Sequence, residues 1–130
     1  MPKDDITTHY VIGDVHGHAD RLDALLERIY CEAGTEDLRS AGVELIFVGD
    51  LIDKGPEPAT VLCRVRRLVE VGQARMVIGN HELNWLMDCH GSEGDTGAFL
   101  EATCQRSERD DLVYGFAGNH RKLQDYWQWL

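Results

Sequence analysis

A chain of 130 residues, 43% of them hydrophobic, has the size and apolar content of one packed domain and too little length for two independent cores. Its 13 basic and 23 acidic residues leave a formal net charge of −10, which excludes the clustered Lys and Arg footprint of a nucleic-acid binder. Bare carboxylates also repel phosphate, so an acidic chain that handles phosphoesters needs divalent cations to reverse the local sign.

In chain order, the apolar run from His9 to Ile12 predicts a short strand that halts at Gly13. Leu22, Leu25, Leu26 and Ile29 then recur at helical spacing, with Asp20, Arg21, Asp23 and Glu27 opposite them, and Gly34 closes that helix. Val43 to Val48 is nearly all apolar, the pattern of a parallel strand buried on both faces. Pro56 and Pro58 open a second amphipathic helix that carries Val61, Leu62, Val65, Leu68 and Val69. Met76 to Ile78 predicts a third strand, halting at Gly79-Asn80 before a helix with Leu83, Leu86 and Met87. Residues 91–97 form a Gly-rich loop, a helix is expected around 98–105, and Leu123, Tyr126, Trp127 and Leu130 suggest a last amphipathic helix. The alternation predicts an α/β chain, a parallel βαβαβ unit with right-handed crossovers, as one domain over residues 1–130.

Three segments carry chemistry: GDVHG at 13–17, GDLIDKGP at 49–56 and GNHE at 79–82, each directly after a predicted strand. Loops at the carboxyl ends of parallel strands converge on one crevice, which would gather Asp14, His16, Asp50, Asp53, Asn80 and His81. Carboxylate, imidazole and amide donors suit zinc, manganese or iron better than calcium, which wants oxygens alone. Asp14 and His16 stand on the same side of extended backbone and can grip one ion. Asp50 has two oxygens and can bridge to a second ion, held also by Asn80. Such paired ions activate a water and clamp both oxygens of a phosphoryl displacement. His81, whose ordinary pKa lies near neutrality, suits protonation of the leaving alkoxide; Asp53 would orient its ring and Lys54 would meet a phosphate oxygen.

Each segment has a plainer reading. A Gly-Asp after a strand is often a turn, and GNHE alone could be a helix start with Asn80 as its cap. Three such segments in this order, each with ligand chemistry, favour a site. His9 reads as structural, His18 as a surface residue, and His90 and His120 as solvated. Arg64, Arg66 and Arg67 read as a solvated helix face rather than a phosphate-binding patch. Cys31, Cys63, Cys89 and Cys104 contain no CxxC pair, and no apolar run has membrane-spanning length, so the expectation is reduced thiols, a cytoplasmic setting and no membrane partner. GxGxxG and GxxxxGK[ST] are both absent, which sets aside a nucleotide-binding module of the doubly wound kind.

Over residues 9–88 the three segments resemble the signature of the calcineurin-like metallophosphoesterase superfamily, GDxHG, GDxxDRG and GNHE. Within it they are similar to the branch of Ser/Thr protein phosphatases and bacterial dinucleoside-tetraphosphatase-like enzymes. The resemblance implies Asp14, His16 and Asp50 as metal ligands with Asp50 bridging, Asn80 on the second metal, and His81 as proton donor paired with Asp53. It also implies two divalent ions (manganese, iron, zinc, nickel or cobalt) and hydrolysis of a phosphoester or dinucleoside polyphosphate by direct attack of a metal-activated water. The substrate would be a small molecule or a phosphoprotein.

The sequence departs from that pattern in two ways. Lys54 stands where the family usually has arginine, which keeps the charge and loses the two-pronged grip on phosphate. After GNHE the later histidine motifs of the family are missing, and His90 and His120 do not follow convincing strands. The family packs two sheets between helices as an α/β/β/α sandwich, and this chain supplies half of it. One sheet face should therefore be an open apolar patch that a homodimer could cover. The expectation is a fragment of a larger enzyme, and the competing reading is an inactive fragment that binds metal weakly and associates through that face.

Overall fold

The computed structural model describes residues 6–89 and residue 129. Over that span strand and helix alternate: β1 (Thr8–Ile12), α1 (Ala19–Ala33), β2 (Val43–Phe47), α2 (Pro58–Glu70), β3 (Ala74–Met76) and α3 (Asn80–Cys89). The strands form one parallel sheet in the order β1-β2-β3. This is the expected βαβαβ unit, half of the layered α/β fold that the motifs imply. The loop expected at 91–97 and the helix at 98–105 lie outside the described residues, as does the last helix apart from Trp129, which is helical.

Local chemistry explains where the elements stop. Gly34 closes α1 in the left-handed conformation at φ 74°, its N–H bonded to the Cys31 carbonyl, a role glycine fills without a Cβ penalty. Pro58 occupies the first turn of α2, where a missing N–H costs nothing. β3 runs two residues earlier than the apolar run Met76 to Ile78 suggests. Ala74, Arg75 and Met76 pair with Leu45, Ile46 and Phe47, so the ladder is spent when β2 ends. One more bond follows, from Val77 N–H to the Phe47 carbonyl, and the chain then turns away with Val77 and Ile78 exposed.

Register sorts the sheet into two unlike faces. Tyr10, Ile12, Val43, Leu45, Phe47, Ala74 and Met76 share the face covered by the helices. There Leu22, Leu26 and Ile29 of α1 and Val61, Leu62 and Val65 of α2 close over Leu45 and Phe47. Each fully buried Leu or Phe stabilises the fold by about 1.5–3 kcal/mol. Leu25, expected in the same stripe, is 39% exposed. The Arg64 guanidinium joins the two helices through bonds of 3.0 and 3.3 Å to Asp23, so it is more than a solvated face. Trp129 packs against the same core, with the Arg66 guanidinium 5.7 Å from its ring centroid.

The opposite face corrects the expectation of a strand buried on both sides. His9 and Val11 of β1, Glu44 and Ile46 of β2, and Arg75 of β3 lie there, with Val11 66% exposed. It is not purely apolar. Glu44 accepts from Arg75 at 2.6 Å and lies 3.3 Å from His9 Nε2, so His9 makes a polar contact across the strands. Among the described residues no helix is long and apolar enough to cross a membrane.

Candidate metal centre

The loops that follow β1 and β2 are bound to each other main chain to main chain, and the loop after β3 packs closely on the second of them. Val15 and His16 both donate their backbone N–H to the Asp50 carbonyl, at 3.1 and 2.9 Å, and Gly17 donates to Leu51 at 2.8 Å. Two glycine pairs set the closeness of approach. A Cβ on Gly55 would lie 2.0 Å from the His16 carbonyl oxygen, and one on Gly49 would lie 2.4 Å from the Gly79 nitrogen. His16, Asp50, Asp53 and Lys54 hold positive φ angles of 45, 52, 66 and 69°. Left-handed non-glycine backbone costs of order 1–3 kcal/mol per residue and persists where neighbours over-determine it. Here the loop-to-loop bonds do so, and the side chains of His16, Asp50 and Asp53 turn into the crevice while Lys54 stays exposed.

Asp14, His16 and Asp50 each offer one donor atom within 4.8 Å of the others. His16 Nδ1 lies 2.9 Å from the Ile52 carbonyl oxygen, which can only accept, so Nδ1 carries the proton and donates it there. That fixes the tautomer and leaves the Nε2 lone pair on the side of Asp14, whose Oδ2 is 3.7 Å away. A backbone carbonyl holding the far nitrogen of a histidine is the usual support behind a metal-ligating imidazole. The Asn80 amide lies 3.1 Å from both Asp50 carboxylate oxygens. With its nitrogen towards them it donates to both, and turned by half a rotation it would offer its oxygen as a donor beside Asp50. Asp50 Oδ1 also accepts from the His81 backbone N–H at 3.2 Å, so this carboxylate sits on the positive end of α3. Two carboxylates, a tautomer-locked imidazole and an amide at one crevice fit a divalent cation of the zinc, manganese or iron type.

Beside this donor set, His81 Nδ1 donates to Asp53 Oδ2 at 2.8 Å, with the carboxylate almost wholly buried. The His81 ring stands edge to face on His16, centroids 4.8 Å apart. All six residues expected to converge therefore do so. Lys54 follows Asp53 with its side chain exposed. His18, expected at the surface, is half-buried at the N-cap of α1 and makes no side-chain capping bond. It lines an open cleft with Gly13, Asp14 and Arg21. His90 and His120 lie outside the described residues.

Sequence reasoning passed over Glu82. Its side chain is fully buried and accepts three backbone N–H bonds, from Gly79 through Oε1 and from Leu51 and Ile52 through Oε2. Burial pushes its carboxyl up from the usual range, the three N–H donors pull it back, and the Asp50 charge adds to the rise. The available signal was its position three residues after Gly79, the spacing of a helix capping box.

Compared with known proteins, residues 8–130 match the calcineurin-like phosphoesterase family. The chain is similar to a symmetrical bis(5'-nucleosyl)-tetraphosphatase of Janthinobacterium sp. (strain Marseille), 33% identical over 107 residues that make up 82% of this chain and 36% of that protein. With the symmetrical enzyme of Cronobacter sakazakii it shares 42% identity over 77 residues, 59% of this chain and 24% of the relative. The asymmetrical bis(5'-nucleosyl)-tetraphosphatase PrpE of Oceanobacillus iheyensis is 33% identical over 99 residues, covering 68% of this chain and 39% of the relative. The aligned part thus spans 24–39% of the length of these curated relatives. With the match running over most of its length and the strand-end loops assembled around a cation-ready donor set, the chain belongs to the calcineurin-like phosphoesterase family of hydrolases.

Proposed function

We propose that these residues form a dimetal phosphoesterase centre that hydrolyses a phosphoester by direct attack of water, with dinucleoside polyphosphates as the favoured substrates. The observation that carries the reading is the convergence of Asp14, His16 and Asp50 within 4.8 Å behind a tautomer-locked imidazole. The names of the relatives favour the dinucleoside polyphosphate class over phosphoproteins. When bound, a pair of divalent cations supplies Lewis acidity for water and neutralises the phosphoryl charge.

Asp14 and His16 would hold one cation, Asp50 would be shared, and Asn80 would turn its oxygen to the second. His81 would hand the proton on Nε2 to the leaving oxygen as the P–O bond breaks, with Asp53 stabilising the charged ring and fixing its plane. Lys54 would meet a phosphate oxygen from the rim. Cys31 stands exposed and outside any disulfide among the described residues, which supports a reducing, cytoplasmic setting. The exposed Val11 on the open sheet face favours a second copy there, and light scattering that finds a sharp monomer removes that part of the reading.

Elemental analysis and Mn2+-dependent hydrolysis of p-nitrophenyl phosphate and diadenosine tetraphosphate, for this chain and for Asp50→Asn, test the proposal. About two metals per chain, with turnover lost in the variant, is the expected result. One metal or fewer without turnover means an inactive half-site that binds metal weakly.

A further inference from the structure

Helix α3 is turned in an unexpected way. It buries Glu82 completely and leaves the neighbouring Leu83 50% exposed, although a leucine would be far cheaper to bury. The carboxylate survives there because both its oxygens are occupied. Oε1 accepts from Gly79 N–H at 3.2 Å, and Oε2 accepts from Leu51 N–H at 3.0 Å and Ile52 N–H at 3.4 Å. The first bond alone is the ordinary return bond of a capping box, from the third helical residue to the N-cap. The other two reach a different loop. They seize the two residues that follow Asp50, one of which, Ile52, supplies the carbonyl that locks His16. One carboxylate therefore ties the loop bearing Asp50 to the loop bearing Asn80 and His81.

We propose that Glu82 is a positioning residue for the metal centre, a two-ended main-chain clamp that sets the distance between the donors of the β2 and β3 loops. The proposal rests on the metal-binding reading above. A helix cap accepts glutamate and glutamine alike, whereas a clamp needs an acceptor at both ends. In Glu82→Gln the amide nitrogen must face N–H donors at one end, so one of the two attachments is lost.

The test is Mn2+ binding by calorimetry on the full chain and on Glu82→Gln, with far-ultraviolet circular dichroism as the check on folding. The expected result is unchanged helicity with Mn2+ affinity lower by roughly 10–100-fold, the range for loss of a group that supports metal ligands. Equal affinity in the two proteins makes Glu82 a helix cap and overturns the proposal alone. A wild-type chain that takes up no Mn2+ overturns the metal-binding reading and this proposal with it. Should Glu82→Gln fail to fold, the wild-type protein decides by amide hydrogen exchange with and without Zn2+. The Leu51 and Ile52 amides are expected to slow together with Gly79, and a response confined to Gly79 overturns the clamp.

Discussion

The imidazoles of His16 and His81 meet edge to face, centroids 4.8 Å apart and planes 82° apart, and each is anchored through the same ring nitrogen. His16 gives Nδ1 to a main-chain carbonyl and His81 gives Nδ1 to a carboxylate. That difference in anchor divides their work. A main-chain carbonyl fixes the tautomer that leaves Nε2 of His16 open on the side of Asp14, while the Asp53 carboxylate holds the plane of the His81 ring.

Replacing Asp53 by Asn tests this division. The amide keeps the shape of the side chain and cannot stabilise an imidazolium. The expected outcome is a kcat reduced by roughly 10²–10⁴-fold with metal content unchanged, read by steady-state kinetics and elemental analysis side by side. Loss of metal in this variant would place Asp53 in the ligand set instead.

Gly79 offers a steric test of the loop packing. A Cβ there would lie 2.3 Å from Asp50 Oδ1 and 2.4 Å from the Asp50 nitrogen, whereas one on Gly13 would meet nothing within 4 Å. Gly79→Ala is expected to lower stability by about 1–3 kcal/mol and to abolish metal uptake, because Asp50 must move. Gly13→Ala should leave both near wild type. Urea unfolding and elemental analysis of the two variants decide, and parity between them would refute the packing argument.

Away from the site, Ser40 donates from its hydroxyl and its backbone N–H to the Asp37 carboxylate and holds that carboxyl below its ordinary range. A carboxyl lowered on folding contributes stability above its unfolded pKa, and the contribution fades as pH falls through the folded value. Ser40→Ala should raise the Asp37 titration midpoint towards the usual carboxylate range. Carbon-detected NMR titration checks it, and an unmoved midpoint would mean that the bonds do not persist in solution.

Much of the centre was legible because its residue types recur at one kind of place. Apolar runs that stop at Gly-Asp or Gly-Asn mark strand ends, and parallel strands put their ends together. The misses share a cause too. Met76 to Ile78 looks like a strand, yet pairing to β2 decides its extent, and pairing is not written in apolarity. Helical periodicity puts Leu83 inside, while N–H groups donated by a distant loop put Glu82 there instead. The Ile52 carbonyl that fixes His16 leaves no mark on residue type at all.

Among the described residues, the non-glycine positions with positive φ are His16, Asp50, Asp53 and Lys54, all in the loops that follow β1 and β2. Torsion angles by themselves, with every side chain erased, would lead a reader to this crevice. Such a map has a practical use. Substitutions that relax those four torsions, the usual route to a hardier protein, are here the ones to leave out of any stabilising library, since ease of backbone and aim of ligand are set against each other.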